Sequence, residues 1–206
     1  MPDLFRGTPL FKDHWFSKGT ISYFLNLPYF LWANQTRRKA EYVERDLVEV
    51  VQANIVAQQK TVSNKNTSVG CLGFCYGGWM VGKAMSISNN IFSTGVAVHP
   101  SWIVETVVRG GLSSDLALAE RILENDDEKR ILFLPAKQDE GTKPSSPVVQ
   151  ALAAAHNQTS NDISVVFEDM DHGFVTRGNR SDPQVCRRQD EAMDRAVAFF
   201  QEHLFA

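Results

Sequence analysis

Short apolar runs alternate with longer amphipathic stretches along most of this chain. From Ala40 to Gln59 the positions Val43, Leu47, Val50, Val51 and Ile55 recur at helical spacing and predict a helix with one buried stripe. A polar loop, Thr61 to Thr67, leads into a short apolar run of strand character, Ser68 to Phe74, and then a helix-compatible segment from Trp79 to Met85. Ser93 to His99 reads as the next strand, Leu112 to Glu124 as a helix, and Arg130 to Lys137 as a buried parallel strand. Pro147 to His156 reads as a helix with Ser145 or Ser146 as its cap, and Ile163 to Glu168 as another strand. The final helix starts near Asp182-Pro183, an N-cap followed by Pro at the first helical position. Its stripe of Met193, Val197, Phe200 and Leu204 is expected to pack on the sheet. Strands alternating with helices predict an α/β fold, a mostly parallel sheet flanked by helices and joined by right-handed crossovers.

No interior stretch is long or polar enough to mark a second domain, so residues 1–206 are read as one domain. An aromatic-rich stretch over 8–38 includes Phe11, Trp15, Phe16, Tyr23, Phe24, Tyr29, Phe30 and Trp32. It reads either as core cover for the first helix or as a lid and pocket wall.

The junction after the first apolar run carries the chemistry. Gly73-Phe74-Cys75-Tyr76-Gly77-Gly78 joins a predicted strand to a predicted helix, which is the pattern of a nucleophile elbow with Cys in place of Ser. Gly73 and Gly77, with no Cβ, allow a tight turn that presents the Cys75 sulfur at the sheet edge. The helix N-terminus behind it favours a thiolate, and the Tyr76 N–H is placed as half of an oxyanion hole.

A thiol nucleophile needs a base, and the base an orienting acid. The strand from Arg130 ends in Gln138-Asp139-Glu140-Gly141, and the strand from Ile163 ends in Asp169-Met170-Asp171-His172-Gly173-Phe174. Cys75, Asp139 and His172 therefore each follow the carboxyl end of a predicted strand, in the nucleophile–acid–His order of α/β-hydrolases. Asp139 is preferred to Glu140 and to Asp171. The latter adjoins His172, and neighbours on an extended chain point to opposite faces. His99 sits on the same edge, as a pocket residue or, beside Pro100, as part of a structural turn. His14, His156 and His203 are read as surface or lid residues.

These residues resemble the dienelactone hydrolase (carboxymethylenebutenolidase) family. The resemblance rests on Pro2-Asp3-Leu4-Phe5-Arg6-Gly7, the elbow, Asp139 and His172-Gly173-Phe174, supported by Arg177-Gly178, Asp182-Pro183 and Glu191-Ala192. Val98-His99-Pro100-Ser101-Trp102 is similar to one branch of that family. It implies an α/β-hydrolase fold and hydrolysis of a small carboxylic ester or lactone through a Cys75 thiol ester, with His172 as base and Asp139 as its orienting acid. It also implies that Arg6 and Arg177 hold a substrate carboxylate, a task that suits a guanidinium fork. Family members usually carry further strands before the Pro-Asp-Leu-Phe piece, which here begins at Met1. The early strands, a second oxyanion donor and an early Glu are therefore expected to be missing, and the chain to be weakly active. Two other readings stay open: a hydrolase for a thioester or peptide-like bond, and a non-catalytic binding protein that keeps the fold.

Composition narrows the partners. The 21 Lys and Arg against 24 Asp and Glu give a net charge of −3, with no basic excess for nucleic acid or an anionic membrane. The longest apolar run, Ile21 to Ala33, holds Asn26 and Pro28 and is too short to span a bilayer. The three cysteines lack any disulfide or metal framework spacing, and the hydrolase resemblance implies neither a metal nor an organic cofactor. Cys71 and Cys186 read as strand and helix core. A lone thiol nucleophile suits a reducing compartment and predicts a cytoplasmic protein. A monomer is expected, with a dimer left open.

Overall fold

The computed structural model describes residues 45, 53–59, 69–87, 91–109, 114–125 and 129–204. The segment 8–38, Arg6 and most of the start of the predicted 40–59 helix lie outside the described residues. The elements in chain order are α1 (Ala53–Gln59), β1 (Val69–Phe74), α2 (Tyr76–Met85), β2 (Phe92–Val98), α3 (Ile103–Arg109) and α4 (Ser114–Asn125). They continue with β3 (Arg130–Leu134), α5 (Pro147–Ala155), α6 (Ser160–Ile163), α7 (Phe174–Arg177) and α8 (Pro183–Leu204). A single 3₁₀ turn, Glu140–Thr142, separates β3 from α5.

The three strands lie parallel in the order β1-β2-β3, with Leu72 opposite Val96 and Val96 opposite Leu132. Alternate side chains feed two cores, as the period of a strand requires. Ala97, Ile131 and Phe133 face one layer with Trp79, Trp102, Leu118 and Leu152. Val96, Val98, Leu132 and Leu134 face the other with Phe167, Phe174, Ala192 and Ala196. This is the α/β layering that the alternation of strands and helices predicts, and both faces of the sheet are covered.

Two elements differ from the sequence reading. The expected strand over 163–168 is not one. Thr159 and Asp162 form a capping box that turns Ser160–Ile163 into a helical turn, with the Thr159 N–H donating to Asp162 Oδ2 at 2.7 Å. Beyond it only two isolated parallel bridges join the segment to the sheet, Phe133 with Ser164 and Ala136 with Phe167. The reason is Pro135. Val165 and Phe167 donate to the carbonyls of Phe133 (3.0 Å) and Pro135 (2.8 Å), but proline has no N–H to return a bond between them. The same residue ends β3 at Leu134, short of the expected Lys137.

The expected α8 stripe packs on the sheet in part: Phe200 and Leu204 lie against Gly70 of β1, but the fully buried positions fall elsewhere. Gln189, Ala192 and Ala196 are buried, whereas Val197 is 51% exposed. Gln189 is buried because its Nε2 donates to the carbonyls of Phe174 (2.7 Å) and Gly178 (3.3 Å). A hydropathy pattern counts that residue as polar and so misplaces the face. The α8 N-terminus matches the expectation, with the Gln184 N–H donating to Asp182 Oδ1 at 2.8 Å. Ser146 caps α5 by accepting from the Val149 N–H.

A buried polar cluster fixes α2 against α3 and α4. Glu105, fully buried on α3, accepts from Trp79 Nε1 (2.8 Å), Lys83 Nζ (3.4 Å) and Arg121 Nη2 (3.2 Å). Two of those donors lie one turn apart on α2, so its first two turns are tied to one carboxylate. A buried charge without such partners would be strongly destabilising.

The close packing at the elbow depends on Gly73, as expected, and on Gly78 in place of Gly77. A Cβ at Gly73 would overlap the carbonyl of Gly77, and one at Gly78 would lie 2.6 Å from Pro100 Cβ. A Cβ at Gly77 meets nothing within 4 Å among the described residues. Gly73→Ala is therefore expected to cost about 1–3 kcal/mol, a fall of roughly 2–12 °C in Tm. Gly77→Ala is expected to hold or raise Tm, since Ala gains up to about 1 kcal/mol over Gly in a helix. Thermal melting of both variants checks this, and a larger loss for Gly77→Ala would contradict the packing.

Candidate functional site

Cys75 occupies the turn between β1 and α2 with φ 52° and ψ −117°, a left-handed backbone that a non-glycine residue rarely adopts. Three backbone hydrogen bonds hold it there. Its N–H donates to the Val98 carbonyl (3.1 Å), and its carbonyl accepts from Gly78 (3.0 Å) and Ser101 (2.9 Å). The sulfur is thereby fixed at the carboxyl end of the sheet, beside the start of α2.

The loop after β3 brings Asp139 to the same edge. One carboxylate oxygen accepts from the Ala136 N–H at 2.9 Å, which orients the group, and the other lies 2.6 Å from His172 Nδ1. His172 Nε2 is 3.1 Å from the Cys75 sulfur. The three side chains form one hydrogen-bonded line. The His172 ring is held from its backbone as well, because its N–H donates to Gln138 Oε1 at 3.0 Å. Gly173, at φ 90°, then turns the chain into α7.

The other acids point elsewhere. Asp171 pairs with Lys137 Nζ at 2.7 Å and accepts from Gln138 Nε2, out in solvent. Glu140 pairs with Lys143 at 2.8 Å. Arg177 is exposed at the rim, where its Nη2 donates to the His172 carbonyl at 3.4 Å. Arg6 lies outside the described residues.

Electrostatics favour a charged sulfur. Burial pushes the Cys75 thiol up, but hydrogen bonds from His172 and Ser101, the His172 charge and the Tyr76 N–H outweigh it. The thiol ends below its ordinary 9.0. Burial likewise opposes charge on His172, yet the bonds to Asp139 and Cys75 raise it to about 9. The opposite shifts both favour the thiolate–imidazolium pair over the neutral pair. Cys71, four residues earlier, shows burial acting without donors, and its thiol is pushed up to about 12. Cys186 is half-buried on α8 rather than in the core expected for it, with its sulfur 3.8 Å from Asp190 Oδ2.

His99 and Ser101 come from the turn after β2. His99 is fully buried at φ 36°, with its ring 5.2 Å from that of His172 and 5.7 Å from that of Phe174. Neither ring nitrogen has a hydrogen-bond partner among the described residues. Burial and the nearby His172 charge lower it to about 4, so it is a neutral platform beside His172. Ser101 Oγ lies 3.4 Å from the Cys75 sulfur and 3.5 Å from His172 Nε2. Sequence reasoning missed the contacts of Ser101 and Gln138. Their signal was position alone: each follows a strand on the edge that carries Cys75.

Among the described residues no helix is long and apolar enough to cross a membrane. No group of three or more His, Cys, Asp and Glu among them is arranged to hold a metal ion. No curated protein and no solved structure gives a significant match to the chain. The sequence model of the dienelactone hydrolase family, in contrast, matches residues 31–204, from before the helix preceding β1 to the end of α8. An elbow and a parallel sheet of this kind, under a match that spans most of the sequence, make the chain a member of the dienelactone hydrolase family of α/β-hydrolases.

Proposed function

We propose that this protein hydrolyses a carboxylic ester or lactone through a thiol ester on Cys75. The observation that carries the proposal is the continuous line from Asp139 Oδ1 to His172 Nδ1 (2.6 Å) and from His172 Nε2 to the Cys75 sulfur (3.1 Å). In this reading the thiolate attacks the acyl carbon, a C–S bond forms, and the carbonyl electron pair moves onto oxygen. The Tyr76 N–H, at the positive end of α2, stabilises that oxyanion. As the tetrahedral intermediate collapses, His172 Nε2–H protonates the leaving alkoxide. His172 then takes a proton from water, which attacks the thiol ester and releases the acid. Asp139 fixes the tautomer and stabilises the imidazolium at both steps. Arg177 at the rim suits a substrate that itself carries a carboxylate, and the family resemblance gives Arg6 the same task. A panel of aryl esters, lactones and thioesters tests the reaction class, and thioester turnover without ester or lactone turnover would overturn it.

Labelling tests the nucleophile. Substoichiometric iodoacetamide on the native protein is expected to modify Cys75 first, because the thiolate is the reactive form. Cys71 should stay unmodified. Adduct mapping that finds Cys186 labelled and Cys75 untouched would remove the assignment.

Asp139→Asn is expected to leave the fold intact and lower kcat by roughly 10²–10⁴. Asp171→Asn should be milder, since its carboxylate pairs with Lys137 in solvent. Steady-state rates of the two variants decide between the acids.

The pH profile follows from the two shifts. Activity needs the thiolate, whose thiol titrates below 9.0, and the imidazolium, which loses its proton near 9. The kcat/KM profile should therefore rise on the acid side as Cys75 ionises and fall on the alkaline side as pH passes about 9. A profile still rising through that pH would contradict the role of His172 as acid.

A further inference from the structure

We propose that Ser101 is a further catalytic residue, whose hydroxyl donates a hydrogen bond to the Cys75 sulfur and stabilises it as the attacking thiolate. The inference rests on the reading of Cys75 as nucleophile. It starts from a backbone constraint. The Ser101 N–H donates to the Cys75 carbonyl at 2.9 Å, and the Ser101 carbonyl accepts from the Val104 N–H at 3.1 Å. On either side Pro100 packs against Gly78, and Trp102 is buried to 1% exposure. The serine is thus locked to the same residue that its side chain addresses, and its Oγ sits 3.4 Å from the sulfur.

The choice of acceptor follows from proton counting. A serine hydroxyl has a single proton to give. In the ion pair His172 carries a proton on each nitrogen, Nδ1–H toward Asp139 and Nε2–H toward the sulfur. The imidazolium then has no lone pair to accept from Ser101 Oγ, although Nε2 is only 3.5 Å away. The charged sulfur is the acceptor that remains. It receives His172 Nε2–H, Ser101 Oγ–H and the backbone N–H of Tyr76, one donor from each of three segments of the sheet edge. When sulfur attacks the acyl carbon, its negative charge passes to the acyl oxygen and the bond from Ser101 weakens. The hydroxyl neither gains nor loses a proton.

The test measures the rate of Cys75 alkylation by iodoacetamide against pH, with adducts mapped by mass spectrometry, in the native chain, Ser101→Ala and Ser101→Thr. A hydrogen bond to a charged group predicts about tenfold slower alkylation of Ser101→Ala on the acid limb. The rate at full ionisation should match the native one, and Ser101→Thr should restore the acid limb. A Ser101→Ala profile that overlays a native profile lying below the ordinary thiol range makes Ser101 a bystander and overturns the proposal. Slowing that is equal at every pH, or a Thr variant as slow as Ala, means packing rather than hydrogen bonding and overturns it too. A native Cys75 that titrates in the ordinary thiol range fails differently, because it removes the nucleophile reading itself.

Discussion

The Cys75 backbone sits in a conformation that costs of order 1–3 kcal/mol for a non-glycine residue, and three hydrogen bonds from neighbouring segments hold it there. One ties it to the last residue of β2, one to the first turn of α2, and one to the turn leading to α3. Without that tether the sulfur would relax away from the sheet edge, and neither His172 nor Ser101 would reach it. The close fit of α2 on β1 at Gly73, and of Pro100 on Gly78, belongs to the same constraint. The Glu105 cluster extends it, since Trp79 and Lys83 tie the following turns of α2 to a carboxylate on α3 and, through Arg121, to α4.

Charge at the site is governed by donors rather than by burial. Cys71 and Cys75 lie four residues apart on one strand and its turn, and both are partly buried. Burial alone drives Cys71 up to about 12, whereas donors on three sides bring Cys75 below 9.0. His99 and His172 show the same contrast with the opposite sign. Their rings are 5.2 Å apart, yet the one whose nitrogens find no partner among the described residues is lowered to about 4 and the one bonded to Asp139 is raised to about 9. Two imidazolium ions at that distance would repel, so the neutral state of one supports the charge on the other.

The sheet edge gathers these groups because each comes from the end of a different strand or bridge. Cys75 follows β1, His99 and Ser101 follow β2, Asp139 follows β3, and His172 follows the segment bridged to β3 at Phe133 and Ala136. That last segment is attached by few backbone bonds. Side chains compensate: Phe167 and Phe174 are buried in one core, and Gln138 reaches across to the His172 backbone.

The sequence by itself determined the parallel α/β layering, the elbow at Cys75, the strand-end position of Asp139 and the place of His172 in the chain order, though not the two-bridge segment that carries it. Those features are local: hydrophobic period, glycine spacing and turn chemistry act over a few residues. The resemblance to the dienelactone hydrolases rested on the same short motifs, and the family match over 31–204 bears it out. What needed the tertiary structure were effects between segments distant in sequence. Pro135 reduced the expected strand over 163–168 to two bridges, because a ladder needs donors from both partners. Gln189 took a buried position on α8 that Val197 was expected to share, because the carbonyls of Phe174 and Gly178 accept its amide. Gly78 rather than Gly77 met the close approach, because the residue it faces, Pro100, comes from the turn after β2. Ser101 reached the sulfur for the same reason. Hydropathy and spacing along a chain carry no record of which hydrogen-bond donor will meet which acceptor across a sheet edge.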